Sequence, residues 1–314
     1  MSVRTPPPSA QAPTVIVTGA GGFIGAHVAG DLARSGWRVA AAGHAGRPCP
    51  SAAAARWGAL TPESLEHLNQ AIGGADAIIH CAGGSSVAAS LRDPTADFER
   101  TVTSTQRVLE FMRTHAPAAR LVLMSSAAVY GAAGTELLHE GLPKRPVSPY
   151  GEHKARAEDL VAEWSAQYGL DATALRLFSV YGPGLRKQVL WELSRRALTG
   201  ENPLTLFGSG EERRDFIAIG DAARLIARAA DPSLRPPPTL NGGSGRATSV
   251  RDLAERLLGA LGISAELAFS GAAKAGDPDS MVADMTRATA FGFAPTAMLE
   301  DELARYAAWV RNQT

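Results

Sequence analysis

Cysteine is nearly absent: Cys49 and Cys81 are the only two in 314 residues. They lie in dissimilar surroundings without a CxxC spacing, which argues against a disulfide-stapled fold and gives no support to a redox pair or a thiolate metal site. The seven histidines show neither HxH nor HExxH spacing, so no metal is expected. An excess of either charge is also lacking. Lys plus Arg and Asp plus Glu each number 31, and a formal net charge of zero removes any global attraction for nucleic acid or an anionic membrane. No run approaches the roughly 20 apolar residues that span a bilayer. The opening "MSVRTPPPSAQAP" has one early Arg and no apolar segment, so neither a signal peptide nor an anchor is expected there. Its three consecutive prolines predict an extended, disordered tail over residues 1–13. The cytoplasm is the expected setting.

What remains is an ordinary globular composition, 45% hydrophobic and 20% charged, in a chain long enough for one large domain or a larger and a smaller one. "TVIVTGAGGFIGAHVAGDLARSG" passes from a β-branched run at Thr14 to Thr18, through glycines, to apolar residues at helical spacing: Phe23, Ile24, His27, Val28 and Leu32. "WRVAAAG", "DAIIHCAG" and "RLVLMSS" supply further strands, with Ala77 to Cys81 apolar enough to be buried on both faces. A long helix is expected from Pro94 to His115 and another after Tyr150. "LDATALRLFSVYG" reads as one strand ending at Pro183, and Met298 to Val310 as a closing helix. Short apolar strands alternating with helices predict a Rossmann-type, doubly wound parallel sheet. The core is expected over 14–180. Residues 181–314 are expected to form mainly a smaller substrate-binding region, with "PTLNGG" a candidate to rejoin the sheet.

"TGAGGFIG" sets Gly19, Gly22 and Gly25 at GxxGxxG spacing between a strand and a helix. Such a loop turns tightly, lets backbone approach a pyrophosphate and presents helix N-terminal amides to it. About 20 residues after such a loop, an NAD-preferring site usually carries an acid for the ribose hydroxyls. Here Gly43, His44 and Arg47 occupy that region. His44 and Arg47 suit a 2′-phosphate, hence NADP; equally, they suit solvated loop residues, with backbone groups holding the ribose of NAD.

"SPYGEHK" places Tyr150 and Lys154 four residues apart, on one helix face. Together with "TGAGGFIG", "HCAG", "SSAAVYG", "LRLFSVYGPG" and "GSGEERRDFI", in that order and approximate spacing, the chain resembles the extended short-chain dehydrogenase/reductases. More narrowly, it resembles the NAD-dependent epimerase/dehydratase group acting on nucleotide sugars. The resemblance covers nearly the whole chain from Thr14. It implies a catalytic set of Tyr150, Lys154 and Ser126, or its neighbour Ser125. A phenol with a reference pKa near 10 is a poor base at neutral pH, and an adjacent ammonium is expected to lower it while serine orients the sugar oxygen. Lys154 is also expected to hold the nicotinamide ribose.

For the cofactor, NAD with NADP as the alternative, the resemblance implies contacts from Gly19, Gly22, Phe23, Ile24, Gly25, Gly43, His44, Leu60, Ala82, Gly83, Tyr150 and Lys154. For the substrate it implies Ser85, Ser126, Ser179, Arg186, Arg214 and Asp277, the arginines suiting a diphosphate. His80 is expected to be structural and Cys81 a small apolar filler. The 4,6-dehydratases of the family carry an Asp-Glu pair where this chain has Ala127 and Ala128, which disfavours water elimination. Ser179 and Thr101 stand where Asn is common. The expected function is therefore 4-epimerisation of an NDP-hexose, a UDP-sugar favoured, through a transient 4-keto intermediate. The alternative is an NAD(P)H-dependent nucleotide-sugar 4-ketoreductase or dehydrogenase. A homodimer is implied through helices at Ala96 to Thr114 and Gly151 to Tyr168.

Overall fold

The alternation of short apolar strands with helices builds an open parallel sheet, seen in a computed structural model that describes residues 12–43, 52–132, 137–271 and 278–313. In order come β1 (Thr14–Thr18), α1 (Phe23–Arg34), β2 (Arg38–Gly43), β3 (Ala54–Trp57), α2 (Pro62–Ala71) and β4 (Ala77–His80). There follow α3 (Val87–Arg92), α4 (Pro94–Phe98), α5 (Ser104–His115), β5 (Arg120–Ser126), α6 (Pro149–Tyr168) and β6 (Ala172–Leu177). The chain continues through β7 (Ser179–Tyr181), α7 (Gln188–Leu198), β8 (Leu204–Leu206), β9 (Arg213–Ala218), α8 (Ile219–Ala230) and β10 (Thr239–Gly242). It ends with β11 (Ala247–Ser249), α9 (Val250–Ala260), β12 (Leu267–Phe269), β13 (Ser280–Met281), α10 (Thr286–Ala290) and α11 (Leu299–Arg311).

The seven-stranded sheet runs β10-β6-β5-β4-β1-β2-β3, and every pairing is parallel. Strand alternation divides its core in two. Val15, Val17, Val39 and Ile79 pack with Val28 and Leu32 of α1 and Leu225 and Ile226 of α8. Ile16, Ala40, Ile78 and Leu121 pack on the other face with Leu65, Leu68, Leu109 and Phe111. A third core, around Leu190, Leu193, Leu253, Leu257, Leu303 and Tyr306, joins α7, α9 and α11 beside a smaller sheet in which β7, β11 and β13 all pair with β9. Strand order reverses between β1 and β4, and such a switch point opens a crevice at the carboxyl ends of the strands.

Three details differ from the sequence reading. Strand β3 is additional, a half-exposed sheet edge of sequence AARW. The run to Pro183 is two strands, because β6 stays in the main sheet while β7 leaves it to pair with β9. The Pro94 to His115 helix widens into a π-turn at Glu99–Thr103. There Thr105 Oγ1 donates to the Thr101 carbonyl at 2.6 Å, and Ser104 Oγ donates to that of Arg100 at 2.5 Å, drawing backbone acceptors from the regular ladder. As expected, the strand at "PTLNGG" returns to the main sheet as β10.

Candidate active site

The three loop glycines answer to three different contacts. Gly19 has φ +65°, and a Cβ there would lie 2.6 Å from the Ala82 nitrogen at the end of β4. A Cβ on Gly25 would lie 2.4 Å from the Gly19 carbonyl oxygen, while Gly22 is the N-cap of α1 and brings no capping side chain. No acid sits in the first turn of α1. The amides around Phe23 and Ile24 thus head a helix dipole at the switch point with no side-chain oxygen already on them, a cradle that fits a pyrophosphate. At the end of β2, a Cβ on Gly43 would strike the Trp57 ring at 2.6 Å and stand 3.3 Å from the Gly21 nitrogen. Trp57, which the sequence reading missed, therefore walls this end of the cradle. His44 and Asp277 lie outside the described residues. Leu60 is half-buried against the core of α2 and α5, and its carbonyl accepts from Arg107 at 3.2 Å.

Behind the cradle runs a directed chain of hydrogen bonds. Ala82 N–H donates to Thr18 Oγ1 (3.2 Å), which lies 2.7 Å from His80 Nδ1; His80 Nε2 lies 3.2 Å from Ser104 Oγ, itself a donor to the Arg100 carbonyl. Since the hydroxyl of Ser104 points to a carbonyl, His80 carries its proton on Nε2 and accepts from Thr18 at Nδ1. Burial, reinforced by the charge of Lys154, pushes the imidazole down from 6.5 to about 3. His80 is a neutral structural group, as expected.

The two candidate serines at the end of β5 face opposite ways, as strand alternation requires. Ser125 is buried and donates to Glu158 Oε1 at 2.5 Å, within a salt bridge in which Arg176 meets Glu158 Oε2 at 2.7 Å. Ser126 acts on the Tyr150 phenol, lowering its pKa, and its Oγ accepts from Ala128 N at 3.2 Å. It is the serine brought to Tyr150. Tyr150 enters α6 just after Pro149, where Ser148 caps the helix and the Tyr150 amide donates to Ser90 Oγ at 3.0 Å. Gly151 is required beside it: a Cβ there would lie 2.7 Å from the Ala128 carbonyl oxygen.

One turn on, Lys154 is 5% exposed; its Nζ donates to the Met124 carbonyl at 2.8 Å and stands 5.9 Å from the centre of the Tyr150 ring. Burial pushes this amine down to about 8, with Lys187 acting the same way and Cys81, Asp97 and Glu158 opposing. Burial also holds the Tyr150 phenol above 10; Ser126 works against that and the charge of Asp97 adds to it. The phenol of the protein alone therefore sits above its ordinary value, not below it as an adjacent ammonium was expected to make it. Cys81 is pushed up to about 12, chiefly by burial, and is inert as a nucleophile.

Gly83 packs on this group so closely that a Cβ would lie 3.0 Å from Lys154 Nζ, and the Gly84 amide donates to Thr101 Oγ1 at 2.8 Å. Next to it Ser85 is exposed, and its carbonyl accepts from Lys187 Nζ at 2.7 Å. Ser179 on β7 registers with Phe216 of β9, two residues from Arg214, so Ser179 and Arg214 share a sheet face. Arg214 is half-buried and donates to the Arg213 carbonyl at 2.8 Å. Arg186 is not brought to this group. It bonds Gln313 and lies over Trp309, 5.9 Å from the ring centre, while its neighbour Lys187 turns to the Ser85 loop.

The model of the NAD dependent epimerase/dehydratase family matches residues 15–241. UDP-glucose 4-epimerase of Azospirillum brasilense is 30% identical over 305 residues, covering 89% of this chain and 86% of its own length. Among solved structures, Thermus thermophilus UDP-glucose 4-epimerase in complex with NAD aligns at TM-score 0.86 and 27% identity, covering 96% of this chain and all of that one. MoeE5 in complex with UDP-glucose and NAD aligns at TM-score 0.83 and 32% identity, covering 96% and 99% of the two chains. The chain belongs to the NAD-dependent epimerase/dehydratase family.

Proposed function

We propose that the chain is a nucleotide-sugar 4-epimerase acting on an NDP-hexose, a UDP-sugar in preference, through a transient 4-keto intermediate. The observation that carries this reading is the convergence of Ser126, Tyr150 and Lys154 at the end of β5, against Gly83 and beside the glycine cradle, with Ala127 and Ala128 offering no acid for dehydration. Ser126 positions the sugar hydroxyl, and the Tyr150 phenolic oxygen takes and returns its proton. Lys154, fixed on the Met124 carbonyl, carries the charge beside the phenol and one side of the ribose site. Gly19, Gly22, Phe23, Ile24, Gly25, Gly43, Ala82 and Gly83 would hold NAD, with Leu60 and His44 at its adenosine end. Bound NAD supplies the acceptor and donor of hydride. Ser85, Ser179, Arg214 and Asp277 are the proposed substrate contacts, and the UDP-glucose of these relatives supports a uridine nucleotide. A homodimer through α5 and α6 belongs to the same reading.

An epimerase gains by retaining its cofactor between two hydride transfers. Denaturing the purified protein and weighing the released nucleotide should give NAD, and two stereoisomeric UDP-sugars should interconvert without net NADH. A second reading, a ketoreductase, rests on Gly43, which puts no carboxylate at the end of β2. Protein that purifies empty and reduces a nucleotide 4-ketosugar only with NADPH would replace the first reading by the second.

A further inference from the structure

Asp97 is a buried acid that the proposed chemistry does not use. It belongs to α4 and is 4% exposed, yet its Oδ2 lies 2.7 Å from Nδ1 of His153, which sits between Tyr150 and Lys154 on α6. Its Oδ1 presses on the loop after β4: a Cβ on Gly84 would lie 1.9 Å from it. Two consecutive glycines thus each carry one charged atom, Lys154 Nζ against Gly83 and Asp97 Oδ1 against Gly84. The exposed Phe98 ring meets the His153 ring edge-on at 5.4 Å between centres, which limits how His153 can turn.

We propose that Asp97, fixed by His153, is a positioning residue for the catalytic pair: its carboxylate seats Gly84 and sets the charge balance around Tyr150 and Lys154. The proposal rests on the reading of those two residues given above. The anion favours the ammonium of Lys154 and opposes the phenolate of Tyr150. Other titratable groups act on Lys154: Cys81, a neutral thiol at the end of β4, Glu158 from α6 and Lys187 from the start of α7. On its outer side, Asp97 lines a cavity shared with Arg92, Asp93 and Arg100. Those three are exposed, where water screens them, whereas Asp97 and Lys154 are buried.

Removing one buried anion stabilises the deprotonated form of every group that feels it, whichever group a limb of the pH profile reports. In D97N, tyrosinate absorbance with Y150F as blank and both limbs of the kcat/KM profile should therefore move to lower pH by about 1 unit. H153L leaves the carboxylate charged but without its donor, so its field is felt more strongly and both should move to higher pH; H153N, which can still donate, should keep them in place. Lower turnover in D97N at every pH, with the limbs and the tyrosinate titration unmoved, would reduce Asp97 to packing and overturn the proposal. If D97N does not fold, coincident curves for H153L and H153N overturn it equally. The absorbance titration needs no turnover. Full activity in Y150F would sink the catalytic reading, and the titration would still decide the effect of Asp97.

Discussion

Lys154 is anchored to the end of β5 rather than to Tyr150: its ammonium donates to the Met124 carbonyl at 2.8 Å and stands 5.9 Å from the tyrosine ring centre. The two side chains share one face of α6, but the lysine is tied to the same strand that delivers Ser126. That tie sets the charge beside the phenol relative to the sheet and not to the helix alone. The helix and the strand end then act as one frame, with Gly83 closing it from β4.

Replacing Tyr150 with Phe keeps the ring and its packing and removes the oxygen on which Ser126 acts. Turnover with a confirmed nucleotide sugar should fall by about 10² to 10⁴, with cofactor content unchanged. Wild-type turnover in Y150F would assign the base elsewhere.

Ser126 and Lys154 should separate in their effects. S126A removes a hydroxyl that acts on Tyr150 and accepts from the Ala128 amide, so turnover should drop while NAD is retained. K154M removes a buried cation that touches both Gly83 and the Met124 carbonyl, so both turnover and NAD retention should fall. Parallel titrations of cofactor and substrate check the split, and equal losses of both functions in S126A count against its assignment.

Much of this arrangement is legible along the chain because it is local. β1, β2, β4 and β5 are apolar runs whose alternate residues feed two cores, and Tyr150 and Lys154 need only one helical turn to meet. The glycines declare themselves by spacing. What stays hidden depends on long-range contacts. His80 meets Thr18 across 62 residues and Asp97 meets His153 across 56, so neither pair leaves a periodic trace. Trp57 closes the cradle from an Ala-rich edge strand whose own pattern is weak. Whether Arg186 or Lys187 turns inward is decided by how the chain enters α7: Lys187 is the extended N-cap and Gln188 has φ 66°. Composition is blind to that choice. The phenol's raised pKa is hidden for the same reason, because burial is a property of the assembled site.

The buried His80 should make the protein acid-sensitive in a defined window. In the fold its pKa is pushed from 6.5 to about 3, first by burial and then by the charge of Lys154, whereas the unfolded chain keeps the ordinary value. Above about 6.5 both states hold a neutral imidazole, and the stability of the Thr18, His80, Ser104 chain is fully present. As pH falls toward about 3 the unfolded state takes up a proton that the folded state refuses, so stability is lost by up to about 1.4 kcal/mol per pH unit. H80N cannot take up that proton. Its amide oxygen still accepts from Thr18, so it should be less stable than wild type near neutrality, through the lost bond to Ser104, but fall less steeply below pH 6.5. Urea unfolding of both proteins across this range measures the difference in slope, in which other titrating groups cancel. Parallel stability curves would mean that His80 is protonated in the fold and that the hydrogen-bond direction assigned to it is wrong.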